Sequence, residues 1–507
     1  MSKQSDNQIV DVAVVGAGIG GLAAAGALSW AGLRVVVLEA EAYAGGCAGT
    51  YFHKGYRFDA GATLAAGFYP GGPMDLVAKA TGIASWSYQP TEPVMVVHLP
   101  DGSQVRRFSP QAPFPPEEQG MDAAAPAFWT WQRKTADALW DLALELPDFP
   151  PQGVRQWLRL ARLGLGWLVK HAPQSPSLVL NMLFDAFGSA GRHLKGAGDA
   201  LWTFVDAQLL IASQATSRET NALYAAAALD LPRRGAAQVQ GGMGGVANAL
   251  VEQVRRNGSQ VLFKAEVTRI ERQPGGLRLI RTRQKGDFRA QAVICNLPEE
   301  NILRLTGKRP ADPADPTRGI PPDGWGGFML YLGVDGKVIP DGFPLHHQVV
   351  WGEPYGEGNT IFLSISPAWD ASRAPSGKRA ITISSHTRAE VWWRLFQDDP
   401  AAYQQRKEAY TRLILERIER VLPGIQNGLE LVLPGTPVTF QRYTGRAGGW
   451  VGGYPQTSLF RMRPPKLEPG LWMVGDSIFP GQSMPAVALG GLRVAHQVLA
   501  ALPQRIS

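Results

Sequence analysis

The chain has only two cysteines, Cys47 and Cys295, among its 507 residues. They stand far apart, and no metal-ligand spacing surrounds either of them. This excludes a disulfide scaffold and suits a reducing compartment. The eight histidines are scattered. The adjacent His346 and His347 have no third ligand at a useful spacing, so they read as a loop pair rather than a metal site. Neither HExxH nor GxSxG occurs, which removes two large hydrolase classes. Charged residues make up only 18%. The opening MSKQSDNQIV lacks a basic segment followed by an apolar core, so no secretory signal is expected there. One uncharged run, residues 12–33, is long enough to cross a bilayer. Four of its first ten residues are glycine, and it resolves into a strand, a turn and a helix instead. The sequence shows no low-complexity tract and no repeat of fixed period.

What is present is an apolar, turn-rich chain, with 45% hydrophobic residues, 58 Gly and 39 Pro. At about 100–200 residues per domain, its length predicts two or three structural units. The net charge of +7 suits an anionic lipid or an acidic ligand. Over so long a chain it reads equally well as simple solubility, and no nucleic-acid partner is expected.

The N-terminus carries the strongest pattern. Ile9 to Val15, IVDVAVV, has the β-branched character of a buried parallel strand. Gly16-Ala17-Gly18-Ile19-Gly20-Gly21 follows, then a small-residue helical stretch, then a second strand, RVVVL, ending at Glu39. Gly16 permits a tight turn, Gly18 admits a pyrophosphate to the backbone, and Gly21 lets helix and strand pack closely. Gly20 belongs to the same turn. The helix N-terminus offers free N–H groups to phosphate. Glu39, 18 residues after Gly21, sits where an acid hydrogen-bonds a ribose hydroxyl. Directly after Glu39 comes Ala40, and Gly45 and Gly46 then let the chain double back past a dinucleotide. Next is Gly55-Tyr56-Arg57-Phe58-Asp59-Ala60-Gly61. Such wrapping, with Arg57 and Gly61 as contacts, suits a retained FAD better than a diffusing NAD.

The C-terminal region has a matching unit. A short strand, LWMV, leads into Gly475-Asp476-Ser477 and then a small-residue helix. Asp476 is placed to bond a chain of hydroxyls, and the helix dipole to stabilise a reduced flavin. A helix-capping role is the plainer alternative for Asp476.

These stretches resemble the phytoene desaturase-like branch of the flavin amine oxidase superfamily. The resemblance runs over nearly the whole chain. Its anchors are VVGAGIGGLAAAGALSWAGLRVVVLE, GGCAGT, GYRFDAGAT and GDSIFPGQSMPAVALGG, with Ser483 standing where the usual pattern has a glycine. The resemblance implies that a strand near Val267 lies beside the adenine and that AVICNLP (292–298) leads back into the flavin domain. Within the branch, bacterial carotenoid 3,4-desaturases look most similar, followed by carotenoid cis-trans isomerases.

The implied fold is α/β, a Rossmann-type FAD-binding domain with a mixed sheet and largely helical substrate-domain insertions. The flavin domain is expected at 1–112, 231–319 and 441–507. A mostly helical, membrane-facing substrate region takes 113–230, and a substrate domain of sheet and helix takes 320–440. In RQWLRLARLGLGWLVKH (155–171), Arg155, Arg159 and Arg162 share one face, and Trp157, Leu160, Leu163, Leu165, Trp167 and Leu168 supply apolar surface. This is either a basic amphipathic helix lying in a membrane interface or an ordinary surface helix packed on its own core. The resemblance further implies a carotenoid substrate, peripheral association with the cytoplasmic side of a membrane, and a quinone or oxygen as electron acceptor. The expected reaction is 3,4-desaturation of an acyclic or monocyclic (hydroxy)carotenoid, with hydride passing to flavin. The alternatives are isomerisation on reduced flavin and a non-catalytic isoprenoid-binding protein. No catalytic residue is identified at this stage.

Overall fold

The computed structural model describes residues 8–502, apart from 111–116, 118–119, 172–175, 310–311 and 313–314. The expected boundary between 112 and 113 and the first seven residues lie outside the described residues. Two eight-stranded sheets organise the chain.

The first sheet is built on the opening strand Gln8–Val15, which runs parallel to Val35–Leu38 on one side and to Asp287–Cys295 on the other. Gln260–Leu262 extends the sheet beyond Val35–Leu38. Leu471–Met473 joins in parallel beside Val293–Cys295. These strands are β-branched and buried, as a parallel sheet covered on both faces requires. The helices Ile19–Trp30, Gly244–Arg256 and Met484–Ala501 provide part of that cover, and their buried residues merge with the strands into one core. An antiparallel hairpin, Val267–Arg272 with Arg278–Thr282, completes the sheet.

The second sheet is mostly antiparallel. Trp325–Asp335 lies between Lys378–Thr387 and Leu429–Gly435. Thr360–Ile365 and His346–Val350 continue it. It ends in Met95–His98 and Gln104–Arg107, and the first of these runs parallel to His346–Val350. Residues 95–107 therefore belong to the substrate-side sheet, although the sequence reading placed them with the flavin domain. Helices Ala389–Asp398 and Pro400–Glu419 cover one face of this sheet. Among the described residues, the expected helical region appears as five α-helices between Ala125 and Arg233. His346 and His347 lie on a fully buried strand, not in a loop. Burial pushes their imidazoles down to about 3 and about 4, so both are neutral.

A buried ion pair ties the two halves together. Arg373 and Asp59 are 4% and 5% exposed, and Arg373 Nη2 donates to Asp59 Oδ2 at 2.9 Å. The other Asp59 oxygen accepts from Thr50 Oγ1 at 2.7 Å and from the Met243 N–H at 2.9 Å. Removing one partner of such a pair leaves an uncompensated buried charge, at a cost of about 3–5 kcal/mol. Asp59→Ala is therefore expected to lower the thermal unfolding midpoint clearly. Calorimetry of the two proteins measures the difference, and an unchanged midpoint would show that the pair is not structural.

Candidate nucleotide and flavin site

The turn between the opening strand and its helix comes close to the end of a neighbouring strand. Gly16 has φ +93°, a region that suits glycine. A Cβ on Gly18 would lie 2.0 Å from Asn296 Nδ2, and one on Gly21 would lie 2.7 Å from Gly16 O and 2.9 Å from Asn296 Cβ. One on Gly20 would meet Val487 O at 3.0 Å. Gly18 is also the N-cap of Ile19–Trp30 and gives that helix no side-chain cap, so its first N–H groups are left for a ligand. Gly45, with φ +114°, accepts no side chain either, and its N–H donates to Ala17 O at 2.8 Å. The chain thus doubles back over the turn, and Gly46 lies above Gly18.

Glu39 holds this loop from behind. Its carboxylate accepts from the Ala17 N–H at 2.7 Å and the Glu41 N–H at 2.8 Å. Burial raises its pKa, while the two amide bonds favour the charged form. The Glu39 backbone carbonyl accepts from the Ala265 N–H at 2.7 Å.

At the C-terminal unit, Gly475 has φ +119° and its absent Cβ faces Asn296 Oδ1 at 3.4 Å. Asp476 forms an ion pair with Arg446 at 2.9 Å. It does not cap the helix. Ser483 is the N-cap of Met484–Ala501 and accepts from the Ala486 N–H at 3.4 Å.

A cavity of about 440 Å³ gathers these parts. Of the residues singled out in the sequence, Gly18, Gly20, Gly45, Gly46, Gly61, Gly475 and Asp476 line it. Gly16, Gly21 and Glu39 shape its wall from behind. Arg57 does not take part. On the strand Tyr56–Asp59, Arg57 is exposed beside the hairpin turn, while Tyr56, Phe58 and Asp59 are buried. Ala40 is exposed. Val267 begins its hairpin strand two residues past the segment bonded to Glu39 and Glu41, and it does not line the cavity. Asn296 and Arg446 do line it and were missed in the sequence. Asn296 follows the strand whose Cys295 pairs with Val15, so its place beside Gly16 follows once that register is known. Nothing in the local sequence signals Arg446.

The sequence matches the family of flavin-containing amine oxidoreductases over residues 19–499. The chain belongs to that family. It is 30% identical to a prolycopene isomerase of Daucus carota, over 97% of this chain and 80% of that one. It is 26% identical to a neurosporene-forming phytoene desaturase of Rhodobacter capsulatus, over 96% of this chain and 93% of that one. Its fold matches the crystal structure of an oxidoreductase from Methanosarcina mazei with a TM-score of 0.59, at 19% identity, over 96% of this chain and 100% of that one.

The residues present fit a flavin nucleotide. The glycine turn leaves backbone N–H groups open at a helix N-terminus, and a Cβ on Gly18 would collide with Asn296, which lines the same cavity. Gly18→Ala is predicted to lower flavin occupancy sharply, read as the ratio of 450 nm to 280 nm absorbance of the purified protein. Full occupancy in that variant would place the nucleotide elsewhere.

Proposed function

We propose that the protein is an FAD-dependent carotenoid desaturase. It removes two hydrogens from a saturated bond beside a polyene, as a 3,4-desaturation of an acyclic or monocyclic (hydroxy)carotenoid. The observation that carries this reading is the continuity of the cavity. The glycine cradle opens without a break into a space walled by Met95, Trp140, Ile211, Leu229 and Phe362, an apolar and aromatic lining suited to a hydrocarbon chain. The phytoene desaturases and the prolycopene isomerases among the relatives support a polyene substrate. When bound, FAD supplies a two-electron acceptor, and a quinone or oxygen is the expected final acceptor. The protein orients the chain, excludes water, and sets the N-terminus of Met484–Ala501 against the cavity.

A second reading, cis-trans isomerisation without net oxidation, rests on one observation. Prolycopene isomerases of Daucus carota and Arabidopsis thaliana are 30% and 29% identical to this chain.

A polyene dissolves in lipid, and we propose that helices Val154–His171 and Pro176–Asp185 rest in a membrane interface on the cytoplasmic side. None of the described helices is long and apolar enough to cross a membrane. The outward face of these two helices is nevertheless apolar. Trp157 and Phe184 are 60% and 67% exposed, Phe187 just past the second helix is 80% exposed, and Leu158, Leu165 and Leu183 are exposed with them. Contiguous exposed apolar surface of this kind marks an interaction site. Exposed Arg155 and Arg162 accompany it, and cations favour anionic lipid headgroups.

Two measurements test these readings. FAD-loaded protein is incubated anaerobically with a quinone and an acyclic 1-hydroxycarotenoid in lipid vesicles. A red-shifted product two hydrogens lighter is expected, whereas an unchanged mass with altered cis/trans composition would replace desaturation by isomerisation. In flotation with phosphatidylglycerol vesicles the protein is expected to rise with the lipid. The triple variant Trp157→Glu, Phe184→Glu, Phe187→Glu is expected to stay behind, and equal flotation of both would remove the interfacial role.

A further inference from the structure

One wall of the cavity takes no part in the nucleotide cradle. It is the face of the second sheet made by Trp325–Asp335 and Lys378–Thr387. Their register sets Gly327 opposite His386 and Met329 opposite Ser384, and all four residues line the cavity. Side chains alternate along a strand. Ser385 also borders the cavity, but its hydroxyl is turned away, donating to Thr360 O and accepting from the Gly358 N–H, each at 2.9 Å, which leaves Ser384 and His386 to face it. Cross-strand partners share a face, and Gly327 has no side chain to fill the space beside His386. A Cβ there would meet only Val451 Cγ1 at 3.7 Å and Met329 Sδ at 3.9 Å.

This wall adjoins the nucleotide end. Val451 continues into Gly452 and Gly453, and a Cβ on Gly453 would lie 2.5 Å from Asp476 O. The imidazole of His386 is packed edge-on against Trp325, with centroids 5.8 Å apart. Trp325 is itself fixed, because its indole N–H donates to Gln214 O at 3.1 Å and Arg388 lies over its ring at 3.8 Å.

Five titratable side chains line the cavity among the described residues: Cys47, Tyr224, His386, Arg446 and Asp476. Asp476 and Arg446 are paired with each other, and Cys47 lies against Arg446. Burial pushes the Tyr224 phenol well up, so at neutral pH it has no basic form to offer. His386 is the remaining group. Burial, and then the charge of Arg388, push its imidazole down to about 4. It is therefore neutral at ordinary pH, with a lone pair free.

We propose that His386 is the catalytic base of the desaturation. This rests on the desaturase reading above. One C–H bond breaks with its electron pair as hydride, for which bound FAD would supply the acceptor. The C–H bond on the adjacent carbon then breaks, its electron pair becomes the new π bond, and its proton passes to the imidazole nitrogen. The carotenoid loses two electrons, which bound FAD would take up, and the imidazolium returns its proton to water. Loss of hydride beside a polyene leaves a cation spread over the conjugated chain. A C–H bond next to such a cation is strongly acidic, so a weak neutral base held at the right place suffices.

The test uses His386→Gln and His386→Phe in the FAD-loaded full chain, with the acyclic 1-hydroxycarotenoid in vesicles. Both variants are expected to keep flavin content and carotenoid binding, while the rate of desaturation falls by about 10²–10⁴-fold. In wild-type protein labelled with ¹⁵N-histidine, the ring signal that the variants lack is expected to shift when carotenoid is added. If wild type desaturates and His386→Gln stays within about threefold of it, the base assignment is overturned and the desaturase reading stands. An unmoved ring signal overturns it too, because the imidazole then does not meet the substrate. If the wild-type product keeps its mass, the desaturase reading falls and the base assignment falls with it.

Discussion

The close crossing of backbone at Asn296 is the constraint on which the rest of the molecule depends. Gly16, Gly18, Gly20 and Gly21 turn around this one side chain, and Gly475 approaches it from the other end of the chain. The Asn296 N–H donates to Val15 O at 2.8 Å, which fixes it to the central strand. A second crossing reinforces the first: a Cβ on Gly491 would lie 2.3 Å from Gly20 O, so the C-terminal helix rests directly on the backbone of the N-terminal one. Strand, turn and two helices can meet at these distances only where side chains are missing. The result is a concave, backbone-lined surface at the start of Ile19–Trp30, where Gly18 supplies no side-chain cap. The position of Asp476 and of the Ser483 cap follows from it.

Ser483 shows how local strain is balanced in this region. Its φ of +89° and ψ of 150° lie in a region that glycine ordinarily occupies, at a cost of about 1–3 kcal/mol for another residue. The same side chain caps Met484–Ala501, and a serine cap contributes about 1 kcal/mol. The departure from the family glycine thus exchanges backbone ease for a capped helix. The substrate-side sheet handles polarity differently. His98, His346 and His347 are pushed down by burial to about 4, 3 and 4 and are hydrogen-bonded as neutral rings. His346 bonds Ser364, and His347 bonds His98 at 3.0 Å.

The N-terminal βαβ unit and the helical insertion were legible because each rests on local pattern. Glycine spacing, β-branched runs and helical periodicity are read within a window of about ten to twenty residues. Long-range register was not legible. Met95–His98 looks like any short apolar run, and only its parallel pairing with His346–Val350 shows that it belongs to the second sheet. The His346-His347 pair looked like a loop because polar side chains mask the strand on which they sit. In the site, glycines with a conformational duty could be named from the sequence, whereas Arg57 could not be told from Asp59. The two share one face of the strand, and what separates them is cover: Thr50 and Arg373 bury Asp59, whereas Arg57 stands opposite the exposed Phe52. Asn296, Arg446 and His386 are placed by partners on other elements, Val15, Asp476 and Trp325, and no local signal marks them.

The outward helices invert the usual surface logic, and the inversion has an energetic reading. A surface helix ordinarily shows charges and hides its apolar stripe. In Val154–His171, Arg159 is held by Asp148 at 3.2 Å and Lys170 by Asp141 at 2.7 Å, while the Trp167 indole donates inward to Ala138 O. These bonds set the rotation of the helix and leave Trp157, Leu158, Leu165 and Val169 outermost. Phe187 and Phe460 extend the same surface, with ring centroids 6.3 Å apart. Each large apolar side chain left in water forgoes about 1.5–3 kcal/mol of burial. A face that pins its cations at the rim and presents several such side chains outward is stabilised where a second apolar phase covers it. The polyene proposed as substrate would reside in such a phase, which is the physical link between the proposed reaction and this surface.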